Sequence, residues 1–382
     1  MRQTARALFM FTLLAVASVS PAMAQKRLVI IDQDGSGPGG SNIMSMMALL
    51  QAPHTEVLGI TIVTGNGWRD DEVRHTLRML ELIGRTDVPV ALGAVFPLVR
   101  TQEETRLMTS LVGQVAWLGA WGQKLNTLVG AAKGGTTGAP KPAPAMLGPW
   151  ETPPLQEGEP HTTPIAEDAA HFLIRQVHAH PHEVTIYAAG PLTDIAVALS
   201  IDSHFAELTR GIVIMGGSLN PHTDDPEFAT SPRHEFNWWF DPEAAHITLR
   251  AHWPRIDVTT VDVSIKAMFT QQMVDDISKS TSLAAQYIAK YNDDRYYLWD
   301  ELAACAWLDP SIIIKERLVY MSVDVSHGPA YGETLTWSAE LKPAIDVQLA
   351  HAQVDLDLPK FTKMFVDLMK APSPHGEGTA RK

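Results

Sequence analysis

The chain has 382 residues, 45% of them hydrophobic and 19% charged, which is enough for a sizeable core and no composition for extended disorder. A formal charge of −13 argues against nucleic acid or an anionic membrane surface as a partner. The single cysteine, Cys305, excludes an internal disulfide, and its apolar setting reads as a buried structural thiol.

Arg2 and Arg6 precede a mostly apolar run over 7–19 and then Pro21-Ala22-Met23-Ala24, the pattern of a cleavable secretory signal with cleavage after Ala24. The run is short of the ~18 to 20 residues a bilayer span needs, and no later segment is long and apolar enough. The expectation is a soluble periplasmic or secreted protein. Removing the two arginines of residues 1–24 takes the charge from −13 to −15.

Short β-rich runs follow at 28–32, 57–63, 88–92, 184–189, 211–216 and 256–263, with amphipathic helical patterns at 70–83, 166–178, 192–199 and 242–250. Near-continuous apolar strands alternating with helices predict an α/β fold: a single domain over 25–370 with an open, mostly parallel sheet and helices on both faces. Ligands in such sheets bind beyond the carboxyl ends of the strands. Residues 130–164 are rich in Gly, Pro and Thr without either period, which reads as an irregular surface excursion rather than a closing flap. Residues 371–382 read as a frayed tail.

The strand ends therefore carry the chemistry. The first runs into Asp32-Gln33-Asp34 and a glycine-rich turn, with Ser41 and Asn42 before a helix starting near Ile43. Asp34 offers an acceptor-only carboxylate for a cation or a proton, while Ser41 or Asn42 is available as a helix cap. The second strand ends at Asn66, either a turn residue or an amide facing a ligand, and the fourth ends in Ala189-Gly190-Pro191, where backbone carbonyls are available. The next closes at Met215-Gly216-Gly217, with Asn220 just beyond. Glu235 and Asn237 are two apart, so in extended backbone they face one way. Asp241 before Pro242 reads as a helix cap, and Asp300 as either a cap or a site carboxylate.

These motifs, in this order, resemble the nucleoside hydrolase family, also called inosine-uridine preferring nucleoside hydrolases, over about residues 28–368 apart from the 130–164 stretch. The resemblance rests on Asp-x-Asp at 32–34, Ala-Gly-Pro-Leu-Thr-Asp at 189–194, Met-Gly-Gly at 215–217, and Glu-Phe-Asn with Asp-Pro-Glu-Ala-Ala at 235–245. It implies hydrolysis of the N-glycosidic bond of a small nucleoside to free base and ribose. It also implies a calcium ion holding a water and the ribose hydroxyls, with Asp34, Asn42, the Ala189 carbonyl and Asp300 as ligands and Asp34 as the general base. Asn66, Asn220, Glu235 and Asn237 match the residues that grip ribose. A homo-oligomer is left open.

Two departures stand out. The family usually has two adjacent aspartates where this chain has Ser41-Asn42, so one metal carboxylate is missing or replaced by a neutral oxygen, with Asp32 available as support or substitute ligand. Purine-cleaving relatives often carry a His before the late Asp; here it is Trp299, which cannot act as an acid at neutral pH and is expected to stack on the base. His234 is a conceivable acid nearby, and leaving-group activation stays unassigned. The same departures allow a second reading, a ribose- or nucleoside-binding protein of this fold without turnover. A third is a hydrolase of a different glycoside using Asp34 and Glu235 as acid and base.

Overall fold

The computed structural model describes residues 26–113, 115, 117–122, 148–292 and 296–374. The leader at 1–24, the first part of the 130–164 stretch and most of the 371–382 tail lie outside the described residues.

Nine strands form one sheet: β1 (Arg27–Gln33), β2 (Thr55–Ile62), β3 (Val90–Leu92), β4 (Val184–Ala188), β5 (Gly211–Met215), β6 (Ile256–Thr259), β7 (Ile313–Val323), β8 (Thr334–Ser338) and β9 (Leu349–Leu356). Their order across the sheet is β3-β2-β1-β4-β5-β6-β9-β7-β8. β1 to β6 and β9 run parallel, while β7 is antiparallel to both its neighbours.

Alternation along the strands explains the two-sided burial. Val29 and Ile31 point into one apolar layer with the helices Gly40–Gln51, Trp299–Leu308 and Leu358–Lys370; Ile30, Ile186 and Ile214 point into the other, with Ala169–Ala179, Thr193–Ile201 and Pro242–Arg250. Cys305 is buried in the first layer. No helix among the described residues is long and apolar enough to cross a membrane.

Several boundaries differ from the sequence reading, each for a local reason. The sixth strand stops at Thr259 instead of running to 263, because Val261 N bonds to Gly217 O (3.0 Å) and Thr260 Oγ1 to Gln353 O (2.7 Å), turning the chain into the helix Val261–Ser264. The helix read from 166 begins at Ala169, where Asp168 accepts from His171 N at 3.1 Å. The first helix starts at Gly40 with no side-chain cap, so Ser41 and Asn42 do not serve as its caps. Residues 148–164 form neither helix nor strand and are tied to the helix Arg69–Leu82, with Arg74 on Glu159 and Glu81 accepting from His161 N and Thr162 N.

The topology itself positions a site. β2 and β1 continue one way from the centre of the sheet, β4 and β5 the other, so the connections leave β1 and β4 in opposite directions. The crevice beyond their carboxyl ends is the place where this architecture binds ligands. Asp34 follows β1 and Ala189 follows β4.

Candidate active site

A cavity of about 370 Å³ opens above the carboxyl ends of β1, β2, β4 and β5. Asn42, Asn66, Ala189, Glu235, Asn237, Trp299 and Asp300 line it, and Asp34 lies fully buried directly beneath Asn42. Asn42 Nδ2 ties the floor together, donating to Asp34 Oδ1 at 2.7 Å, Gln33 Oε1 at 3.0 Å and Asp300 Oδ2 at 3.2 Å. Two carboxylates from opposite ends of the chain thus meet around one amide.

The supporting contacts are local consequences of the strand ends. Asp34 Oδ2 accepts from Asn66 N at 2.8 Å, and Asp34 N donates to Gln33 Oε1 at 2.9 Å. Gly65 must lack a side chain, because a Cβ there would run into the Asp34 carboxylate. Gln33 Nε2 donates to Asp300 Oδ2 at 3.1 Å and to Ser45 Oγ at 3.2 Å. Asp300 sits inside the first turn of its helix rather than at the cap, and it lines the cavity. Ser41 satisfies that helix start instead, accepting from Asp300 N at 3.0 Å and donating to Glu301 Oε2 at 2.5 Å. Asp32 accepts from Thr61 Oγ1 at 2.5 Å and lies outside the cavity lining, so it supports the floor from below.

The wall residues fall partly where the sequence put them. Glu235 and Asn237 both line the cavity, yet not on extended backbone: Glu235 caps the helix Phe236–Phe240, accepting from Asn237 N (2.8 Å), Trp238 N (3.0 Å) and Gly217 N (3.0 Å). A cap residue whose helix begins immediately after it looks like alternation over two positions, which is why spacing alone misled. Asn237 Nδ2 reaches Ala189 O (3.3 Å) and Met215 O (3.2 Å). Asn66 Oδ1 accepts from Trp117 Nε1 at 2.6 Å, and its Nδ2 donates to Asn42 Oδ1 at 3.2 Å.

Asn220 is exposed and outside the lining; its N–H and that of Leu219 are taken by the Asp262 carboxylate at 3.0 and 2.9 Å. His234 is buried against Trp239, also outside the lining, and burial with the nearby Arg100 guanidinium pushes it down to about 4, so it is no proton donor to a bound base. Asp241 caps its helix through Ala244 N at 3.1 Å. Gln33, Trp117, Glu227, Phe228, Tyr296 and Glu301 escaped the sequence reading. Gln33 stands between two strand-end aspartates, but its contacts with Asp300 and Ser45 leave no signal in the sequence.

Burial pushes the carboxyl groups upward throughout. Asp34 and Asp300 lie well above the ordinary range, chiefly because they are desolvated; like charge adds to this, from Glu235 on Asp34 and from Glu301 and Asp34 on Asp300. Glu235 is pushed up to about 7 by burial against its three N–H donors, and Glu301 to about 8.

Two buried acids drawn together over an oxygen-rich floor are the chemistry of a hard divalent cation, which would relieve their repulsion. The donor set fits such an ion when the Asn42 amide presents oxygen. In this structure its N–H groups face both carboxylates and do part of a cation's work. Another acidic group, Asp257, Glu316 and His351, lies elsewhere on β6, β7 and β9 with ligand atoms within 4.8 Å of one another. Its members are already paired, Arg255 with Asp257 at 2.7 Å and His351 with Glu316 at 2.8 Å.

Comparison with known proteins agrees with this geometry. The chain is 28% identical over 275 residues to the probable uridine nucleosidase 2 of Arabidopsis thaliana, covering 72% of this chain and 71% of that one. It is 28% identical over 267 residues to the pyrimidine-specific ribonucleoside hydrolase RihA of Photobacterium profundum, covering 70% and 71%. A solved plant nucleoside hydrolase, PpNRh1, superposes with a TM-score of 0.66 at 23% identity, over 91% of this chain and 99% of that one, which shows a shared fold. Residues 29–363 match the family described as inosine-uridine preferring nucleoside hydrolase, and the chain belongs to that family of generally metal-dependent ribonucleoside hydrolases.

Proposed function

We propose that the protein hydrolyses the N-glycosidic bond of ribonucleosides, releasing free base and ribose, with Asp34 as the general base. The observation that carries this reading is the convergence of Asp34, Asn42 and Asp300 at the β1/β4 crevice in a chain of this family. Breaking the bond leaves positive charge on the ribose ring, which the acidic floor stabilises more strongly than it does the neutral sugar. Asp34 takes the proton of the attacking water. Asn237 has committed its N–H groups to two carbonyls, so its Oδ1 is the acceptor available to a ribose hydroxyl. Trp299 and Trp117 form the aromatic wall against which a base stacks. Calcium, held by Asp34, Asn42, Asp300 and the Ala189 carbonyl, would supply Lewis acidity toward water and hydroxyl oxygens. The leader read over 1–24 supports a site of action outside the cytoplasm.

Incubating the purified protein with calcium and a panel of purine and pyrimidine ribosides tests the reading; chromatography is expected to find free base and ribose from at least one of them. One observation favours a second reading. The Asn42 amide donates to both floor carboxylates, with Asn66 N and Gln33 Nε2 as further donors, so protein groups alone pair them, as a ribose-binding protein without turnover would require. Calorimetric binding of ribose or nucleoside with no product in the same sample would select that alternative.

A further inference from the structure

We propose that Trp117 is a substrate-positioning residue whose indole N–H becomes available to a ribose hydroxyl only when a cation occupies the floor. This rests on the cation site proposed above and adds the way the wall responds to its occupancy.

A continuous run of hydrogen bonds carries the inference. Trp117 Nε1 donates to Asn66 Oδ1 at 2.6 Å, and Asn66 Nδ2 donates to Asn42 Oδ1 at 3.2 Å. Asn42 Nδ2 in turn donates to Asp34 Oδ1 at 2.7 Å and to Asp300 Oδ2 at 3.2 Å. Every donor in the run points toward the floor. Each of the two amides shows oxygen to one neighbour and nitrogen to the other, so neither can turn over alone.

A cation changes the end of this run. To act as a ligand, Asn42 must turn its oxygen to the floor, which leaves its N–H groups facing the Asn66 amide. Two N–H groups cannot bond to each other, so Asn66 turns as well and accepts from Asn42 with its own oxygen. Asn66 Nδ2 then faces Trp117 Nε1, and the indole loses its acceptor. Without an ion the reversed run would set Asn42 Oδ1 against the oxygens of Asp34, Asp300 and Gln33, so only the cation favours it. The backbone donors Asp34 N and Asn66 N keep their acceptors, Gln33 Oε1 and Asp34 Oδ2, throughout. Trp117 and Asn66 both line the cavity, so the released N–H finds its next acceptor in a sugar oxygen.

The test follows the indole N–H of Trp117 by NMR of the full chain with labelled tryptophan, Trp117→Phe identifying its signal. Saturating calcium is expected to move the signal upfield and to speed its exchange with solvent about tenfold, the worth of one hydrogen bond, and ribose added afterwards is expected to reverse both. In Asn42→Asp the acid accepts from Asn66 Nδ2 with or without calcium, so the signal should stay in place while calorimetry shows calcium binding. Trp117→Phe is expected to bind ribose about tenfold more weakly than wild type in calcium and equally well in chelator, a comparison that stands even if Asn42→Asp fails to fold. A signal unmoved by calcium that calorimetry shows to be bound, or moved equally in Asn42→Asp, overturns the proposal and leaves the cation site standing. Equal ribose affinity of Trp117→Phe and wild type in calcium also overturns it. Calcium that does not bind at all removes the cation site itself, and this proposal with it.

Discussion

Asn42→Asp puts a carboxylate where the chain carries an amide, and its cost to stability should shrink when calcium is present. In the native chain the Asn42 amide donates to Asp34 Oδ1 at 2.7 Å and Asp300 Oδ2 at 3.2 Å. The substitution removes both bonds and sets a third acid between two buried ones. Hydrogen bonds to charged groups are worth roughly 1.5–3 kcal/mol each, so losing two costs about 3–6 kcal/mol. With ~2.1 cal/mol/K of unfolding entropy per residue over the roughly 320 described residues, 1 kcal/mol moves Tm by about 1.5 °C. In chelator, Asn42→Asp should therefore melt about 4–9 °C below wild type. Calcium at about 100 times its Kd should return ~2.7 kcal/mol, or some 4 °C, and titration calorimetry should find tighter binding than in wild type. Differential scanning fluorimetry in chelator and in calcium reads both effects. A variant as stable as wild type in chelator, with no gain in calcium affinity, would refute the reasoning.

Other outcomes follow from single contacts. Glu301, pushed up to about 8 by burial, keeps its proton in the folded state between its ordinary value near 4.5 and 8 while the unfolded chain has lost it, so stability falls as pH rises through that window. Glu301→Gln cannot ionise, and its Tm relative to wild type should climb between pH 5 and 8; a flat difference would count against the burial. Asp241→Ala removes the partner of Ala244 N, Leu98 N and Thr193 Oγ1, and should cost about 3–5 kcal/mol in chemical denaturation. Trp299→Ala should raise KM for a cleaved riboside about tenfold with a smaller change in kcat, as loss of base stacking requires.

The first half of the fold was legible because its strands are buried on both faces, and continuous apolar runs such as Val29-Ile30-Ile31 announce themselves. β7 was not, since residues Ile314, Lys315, Glu316, Arg317 and Leu318 are exposed and offer no buried face to set a period. Asp34 and Ala189 were legible as strand-end positions in an open sheet, whereas Asp300 stayed open between a helix cap and a site carboxylate until the family resemblance set it beside Asp34. Asn220 was not, because the direction of its loop is set by the distant Asp262 carboxylate. Nor was the part played by Gln33, whose amide links Asp34 N to Asp300 only after the chain has folded.

The most direct measurement is release of base and ribose by the wild-type chain and by Asp34→Asn, assayed side by side with calcium on the same riboside. Turnover by wild type and a loss of about two to four decades in the variant is the expected result. Product formed at equal rates by both proteins would show that the carboxylate beneath Asn42 does not take the water's proton, and the account of this crevice would fail with it.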